Sequence, residues 1–179
     1  QALLEHGTWK LVDRSKVPKG KKITKSRWTY TIKHNRDGSI ERFKARFVVC
    51  GYSQVQGEDY THAFSATLRA TSFRLLMAIA AGEKLKLEHF DVKNAFTQSD
   101  IDADIYTEPA KGFETKGKDG LPQVLKLIKS LYGTKQASRL WQDALRAFLV
   151  SPKVGFINST TDPCLYRLVD GDSEIILGV

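Results

Sequence analysis

The sequence predicts an α+β fold in which an antiparallel sheet is backed by helices. Two observations support this prediction. Apolar residues recur with a period of two in some segments and near 3.6 in others, and the predicted elements do not alternate as in a doubly wound sheet. The chain has 179 residues, of which 41% are hydrophobic and 27% are charged. This composition suffices for a buried core in one domain or two small lobes.

A β-hairpin is predicted in the first third of the chain. Two segments, 26–33 and 42–49, flank Asn35-Arg36-Asp37-Gly38, whose residue types favour a tight turn. Alternate residues of the two segments are apolar: Trp28, Tyr30, Ile32, Phe43, Ala45, Phe47 and Val49. Because side chains alternate across a strand, Lys44 and Arg46 are expected on the opposite face.

Basic residues are concentrated in the same region. Between Lys10 and Gln54 there are 13 Lys or Arg against 3 Asp or Glu, although the net charge of the whole chain is only +8. Such a local excess attracts polyanions, of which nucleic acid is the commonest in a cell. A solvated basic surface is an equally good interpretation of the charge by itself.

Two helices are predicted from apolar stripes. The first runs from Thr71 to Ala81, with Thr71 or Ser72 as the N-cap and Gly82 as the stop. The second carries its stripe between Leu140 and Leu149 and is expected to end near Ser151-Pro152.

The remaining segments are predicted to be strands and loops. Residues 87–96 contain a short strand with Phe90 and Val92 on one face and Asp91 on the other. The Gly- and Lys-rich segment 112–122 is a loop, and residues 164–179 form a second hairpin around Gly171.

The sequence disfavours a disulfide, a zinc site, a membrane span and secretion. Cys50 and Cys164 lie far apart in sequence and no His is at metal-ligand spacing beside them, so two reduced thiols are expected rather than a disulfide or a zinc site. No apolar stretch approaches the roughly 20 residues of a membrane span, and residues 1–10 lack the features of a secretory signal. The chain is therefore expected to be intracellular.

Ordered blocks covering nearly the whole chain carry a family resemblance. They are SRWTYTIKHNRDGSIERFKARFVVCGYSQVQGEDY, FDVKNAF, IYTEPAKGF, LIKSLYGTKQASRLW, GFINSTTDPCLY and EIILGV. In their order and spacing they resemble the reverse transcriptases of copia-type retrotransposons.

The resemblance implies a right-hand polymerase fold. Residues 1–70 would form the basic, β-rich part of the fingers, and 71–96 the first part of the palm. Residues 97–136 would return to the fingers, and 137–179 would form a second, truncated part of the palm. The family's Tyr-x-Asp-Asp turn follows an apolar strand, and this sequence contains the strand EIILGV without that turn. We therefore expect a catalytically incomplete portion of an RNA-directed DNA polymerase.

The resemblance also assigns site residues. Asp91 and the backbone carbonyl of Val92 would hold Mg²⁺ in a two-metal site, with Asp91 as the catalytic carboxylate. Judged without the resemblance, the favoured interpretation of Asp91 is a carboxylate that pairs with Lys93 or caps a turn. The residues expected to bind nucleotide are Arg46, Lys44, Lys33, Phe96 and Gln136, and those expected to bind nucleic acid are Lys135, Gly133 and Arg42. Arg46 would grip the triphosphate, while Phe96 would act as a steric gate against the ribose 2′ hydroxyl.

The expected partners are an RNA template, a DNA primer, a deoxynucleoside triphosphate and the rest of a polyprotein containing the remaining palm, a thumb and an RNase H domain. The location by resemblance is the cytoplasm or a virus-like particle. Two alternatives remain open: a non-catalytic nucleic-acid-binding fragment, and the remnant of a dead element.

Overall fold

The structure is a computed structural model that describes residues 2–179, with side chains from residue 3 onward. Its strands are β1 (Trp9–Asp13), β2 (Ile23–Thr24), β3 (Ser26–His34), β4 (Ile40–Val49), β5 (Tyr106–Thr107), β6 (Gln123–Leu127), β7 (Ile157–Asn158), β8 (Leu165–Asp170) and β9 (Ser173–Gly178). Its α-helices are α1 (Ala2–Glu5), α2 (Ala70–Gly82) and α3 (Ala137–Leu149).

The chain divides into two compact units. The first unit extends up to Ala63 and resumes at Asn94–Leu140, whereas the second comprises Phe64–Lys93 and Trp141–Val179. The sequence-based boundaries between fingers and palm segments were predicted after residues 70, 96 and 136. Phe96, which was assigned to the palm segment, therefore belongs to the first unit.

The first unit contains the main core. Its four-stranded sheet has the order β1-β6-β5-β2, with β2 and β5 parallel and the other pairs antiparallel. Strands β3 and β4 form a separate two-stranded sheet. The buried core cluster consists of Phe47, Val49, Ile105, Ala110, Leu125, Leu127 and Leu131. Burial of these side chains drives folding of the unit, because each removes apolar area from water.

The predicted first hairpin is confirmed. Its register pairs the apolar residues across β3 and β4: Trp28 with Phe47, Tyr30 with Ala45, and Ile32 with Phe43. An irregularity in the ladder follows Lys33, and Gly38 at φ +84° completes the turn. Local alternation was sufficient to predict this element because its strands are neighbours in the sequence.

The second unit contains α2 and the sheet β7-β8-β9, and α3 ends in it at Leu149. Strands β8 and β9 pair antiparallel as the predicted closing hairpin, with Gly171 at φ +57° in the turn. Helix α3 ends as predicted, just before Ser151-Pro152. The described residues thus form three sheets, and their mixture of mainly antiparallel strands with helices agrees with the predicted α+β class.

The predicted cap of α2 is wrong. The helix starts one residue earlier than expected, and its N-cap is Arg69, which makes no side-chain capping hydrogen bond. The Asp162 carboxylate instead accepts a hydrogen bond from the Arg69 N–H at 3.1 Å and one from the Ser72 hydroxyl. A carboxylate distant in sequence therefore stabilises this helix start, where negative charge is favoured.

The predicted strand within residues 87–96 is also wrong. Residues 85–92 lie outside helices and strands and are exposed, and a short 3-10 helix occupies Ala95–Gln98. A strand requires a hydrogen-bonded neighbour, and no described strand pairs with this segment. Its apolar residues consequently remain in solvent, with Phe90 77% exposed.

Cys50 and Cys164 are free and buried. The loop prediction is confirmed, because residues 112–122 carry turns and one isolated bridge between Lys116 and Pro122. Among residues 2–179, no helix has the length and apolar character needed to cross a bilayer.

Candidate functional site

The cationic face of the first hairpin lies opposite its apolar row, as predicted. Across the ladder Arg46 pairs with Thr29, Lys44 with Thr31, and Arg42 with Lys33. Arg46 and Lys44 are half-buried, whereas Arg42 and Lys33 are exposed. The strand pairing places these cations on one face, where together they attract an anionic ligand.

Arg46 and Phe96 meet on a third residue, Tyr132. The Arg46 Cζ atom lies 5.8 Å from the Tyr132 ring centroid. The ring centroids of Phe96 and Tyr132 are 4.7 Å apart in an edge-to-face arrangement. Both are stabilising geometries, because the face of an aromatic ring is electron-rich. Two residues predicted from separate motifs are thereby joined in one cluster.

A tight turn positions Tyr132 against β4. The Val49 N–H donates to the Tyr132 carbonyl at 2.9 Å. Gly133 has φ +91°, and a Cβ there would collide with the Val49 carbonyl oxygen. The Thr134 hydroxyl closes the turn by donating to the Leu131 carbonyl at 2.9 Å. Gly133 is required for close backbone approach, a role distinct from the predicted contact with nucleic acid.

Gln136, predicted to bind nucleotide, has a fully buried side chain that is held by hydrogen bonds within the protein. Its amide accepts from the Gln54 side chain at 3.1 Å and donates to the Asp59 carbonyl at 2.9 Å and to Asp102 at 3.3 Å. Gln54 also accepts the Lys135 N–H at 2.7 Å. Gln136 is therefore a positioning residue, and the exposed Lys135 remains available to a ligand.

Asp91 lies in the exposed segment of the second unit. Its carboxylate makes no ion pair or hydrogen bond with a described residue, and the pairing with Lys93 considered from the sequence is not formed. No three His, Cys, Asp or Glu side chains among residues 3–179 are grouped to hold a metal ion. The described residues therefore do not by themselves fit a two-metal centre, since magnesium sites of this kind need several oxygen ligands.

Sequence reasoning did not identify Tyr132 as a site residue. Its only signal was an aromatic residue immediately before Gly133 within the LYGTKQASR block. The importance of Tyr132 becomes visible only when β4 and the 3-10 helix at Ala95–Gln98 are both placed beside it. Side-chain clustering between segments more than 80 residues apart is not encoded in any local period.

The Arg46 guanidinium next to the Tyr132 ring offers donors suited to phosphate oxygens, and the Phe96–Tyr132 pair offers apolar ring surface beside it. Residues 6–179 match the family described as "Reverse transcriptase (RNA-dependent DNA polymerase)", and the chain belongs to that family.

Curated relatives support this assignment. The chain is 40% identical over 166 residues to the retrovirus-related Pol polyprotein from transposon TNT 1-94 of Nicotiana tabacum, which covers 93% of this chain. It is 38% identical over 176 residues to the Pol polyproteins from transposons RE1 and RE2 of Arabidopsis thaliana, covering 98% of this chain. It spans only 12% of the length of each relative. No solved structure matches the chain significantly.

Proposed function

We propose that this chain is the nucleotide-gripping portion of a retrotransposon RNA-directed DNA polymerase of right-hand fold, the first unit contributing to its fingers and the second to its palm. The parent protein would add deoxynucleotides to a DNA primer on an RNA template. The observation that carries the proposal is the cluster of Arg46, Tyr132 and Phe96. Arg46 and Phe96 both contact Tyr132. A guanidinium is suited to bind phosphate, and an aromatic ring is suited to contact a sugar.

In this proposal Arg46 binds the triphosphate bidentately, because a guanidinium on a paired strand presents two parallel donors. Lys44 lies two residues away on the same face and adds charge, as does Lys33 from β3. Phe96 is the steric gate that excludes a ribose 2′ hydroxyl. Lys135 and Arg42 are exposed and contact the nucleic-acid backbone.

In this proposal the chain supplies only some of the ligands of a metal site. Asp91 and the Val92 carbonyl would supply part of a Mg²⁺ site whose other carboxylates lie outside the described residues. Nucleotide binding by Arg46 does not depend on that site being complete.

The test compares two arginines of one hairpin. Arg46→Gln removes the proposed phosphate donor, whereas Arg36→Gln removes an exposed guanidinium from the turn. We expect Arg46→Gln to weaken dTTP binding about tenfold, as loss of a charge-assisted hydrogen bond does, and Arg36→Gln to have little effect. The dissociation constants would be measured by NMR titration of the labelled chain.

Equal dTTP affinity in the wild type and Arg46→Gln would refute the proposed grip. Equal losses in the two variants would show only general attraction to the basic region, and would favour the alternative of a non-catalytic nucleic-acid-binding fragment. That alternative draws on the excess of 13 basic over 3 acidic residues between Lys10 and Gln54.

A further inference from the structure

The first unit contains a cavity of about 260 Å³ beside its core cluster. Phe47, Ala110 and Leu125 belong both to the cluster and to the cavity lining. The other lining residues are leucines, aromatic residues, a proline and one threonine, so none of the described side chains that line the cavity is charged. An apolar cavity of about 150 Å³ stays free of water and holds benzene. The volume found here is therefore sufficient for one small organic molecule with one or two rings.

The cavity has a buried floor and an exposed rim. At the floor, Phe47 is 3% exposed and Leu125 is 4% exposed. At the rim, Leu4 and Phe113 are each 68% exposed. A small molecule can therefore enter from solvent between the rim side chains and reach the core without unfolding of the unit.

Four aromatic rings form a connected wall of the cavity. The ring centroids of Trp9 and Phe47 are 5.6 Å apart in an edge-to-face arrangement. The Trp28 ring lies 5.8 Å from that of Phe47 and 5.8 Å from that of Phe113. The Trp28 indole N–H already donates to the Lys111 carbonyl at 3.3 Å. Because aromatic rings pack favourably edge to face or offset against one another, this wall favours a planar aromatic ligand.

One polar group of the lining lacks a partner. The Thr115 hydroxyl oxygen is buried and forms no hydrogen bond with any residue that the structure describes. The backbone at this position is held in place, because the Thr115 carbonyl accepts a hydrogen bond from the Gln123 N–H at 3.0 Å. A buried hydroxyl without a partner is unfavourable. A ligand in the cavity that carries one hydrogen-bonding atom can supply the missing partner.

We propose that this cavity binds a small, uncharged aromatic molecule of one or two fused rings, which packs against the aromatic wall and forms one hydrogen bond with the Thr115 hydroxyl. Phosphorylated ligands are excluded, because their charge would be buried there without a compensating group. The cavity adjoins β4 at Phe47, whereas Arg46 projects from the opposite face of that strand. The inference therefore goes beyond the proposed function and does not depend on it.

The experiment titrates the ¹⁵N-labelled chain with indole and follows the indole N–H signals of Trp9 and Trp28 by NMR. We expect saturable shifts with a dissociation constant of about 1 mM or lower, which is within the binding energy that a ligand of this size supplies. Indene has the same fused rings but no hydrogen-bonding atom. It should bind the wild type about fivefold more weakly than indole, as loss of one hydrogen bond does.

Two substitutions test the contacts separately. Thr115→Val keeps the shape of the side chain but removes the hydroxyl, so indole and indene should bind this variant equally. Phe113→Ala removes an exposed ring of the wall and should weaken indole binding about fivefold. Tyr30→Ala is the matched control, because Tyr30 is an equally exposed aromatic residue that does not line the cavity, and it should leave indole binding unchanged. The far-ultraviolet circular dichroism of each variant would confirm that the fold is retained.

The proposal is overturned if neither tryptophan signal shifts saturably up to the solubility limit of indole. Equal losses of indole affinity in Phe113→Ala and Tyr30→Ala would also overturn it, because they would indicate general adsorption to exposed rings. If indole retains its advantage over indene in Thr115→Val, the assigned hydrogen bond is wrong. Indole binding should persist in Arg46→Gln, so a failure of the proposed nucleotide grip and a failure of this site are distinguishable.

Discussion

The two compact units differ in how much of their apolar surface they bury. The first unit contains the seven-residue core cluster, including Leu127 at 1% exposure. In the second unit the buried apolar residues are few: Ala80, Leu149, Cys164 and Tyr166. Its exposed apolar side chains include Phe64, Phe73, Leu75, Leu87, Phe90 and Ile157. Large exposed apolar areas mark surfaces that bind other groups or promote aggregation.

This difference in burial leads us to expect different stabilities for the two units. In the first unit, strands distant in sequence close a core, and the unit also carries the cluster of Arg46, Tyr132 and Phe96. In the second unit, a helix and a three-stranded sheet are formed largely by local pairing. We therefore expect the first unit to be the more stable, and the first unit to respond more strongly to single core substitutions.

The largest effect is expected for Leu127→Ala in the first unit. Removing this buried side chain leaves a cavity and should lower the free energy of unfolding by about 2 to 5 kcal/mol. The matched change Leu75→Ala, at a position 60% exposed in the second unit, should alter it by less than about 0.5 kcal/mol. Urea denaturation followed by tryptophan fluorescence would measure both. Similar losses in the two variants would contradict the difference between the units.

A second substitution tests the turn that positions Tyr132. Gly133→Ala combines a left-handed conformation with a collision against the Val49 carbonyl, so we expect a loss of about 2 to 4 kcal/mol. Gly38→Ala has a similar φ of +84° but open space around the added methyl group. It should cost only about 1 kcal/mol. Equal destabilisation of the two variants in urea would show that close packing at Gly133 is unimportant.

The second unit should depend on pH through Asp162. The pKa of Asp162 is lowered, first by the hydrogen bond from the Ser72 hydroxyl and next by the Cys164 N–H. A carboxyl group with a depressed pKa contributes stability above its unfolded pKa of about 3.9, and this contribution is lost as pH falls through the folded value. As the pH is lowered, the melting temperature of Asp162→Asn should therefore fall less than that of the wild type. An identical pH profile would contradict this contribution.

The smallest expected effect concerns Tyr132 itself. Tyr132→Leu removes the ring face next to Arg46 and should weaken dTTP binding about two- to fivefold, in keeping with a cation–π contact. Tyr132→Phe retains the ring and should bind dTTP like the wild type. A loss in the phenylalanine variant as large as in the leucine variant would assign the effect to the hydroxyl instead.

Elements held together by neighbouring residues were predictable. The two hairpins and the end of α3 followed from alternation, turn residues and a proline near the helix end. The four-stranded sheet was not predicted. Its β1–β6 ladder joins Trp9 to Leu127, and β2 and β5 have two residues each, too few for a recognisable period.

The candidate site likewise contains some residues that were predictable from the sequence and others that were not. The basic face with Arg46 and Lys44 was predictable because a strand has only two faces. Tyr132 and the buried state of Gln136 were not, since both depend on which distant segments pack beside them.

The sequence by itself determined the family, the first hairpin and the side on which its cations project, because these depend on residue order and on the period of a strand. Only the tertiary structure decided that Arg46 and Phe96 share one aromatic neighbour, that Asp162 holds the start of α2, and that residues 85–92 form no strand. The physical reason is that hydrogen bonds and packing between distant segments are satisfied only when those segments meet, and no local pattern specifies the partner.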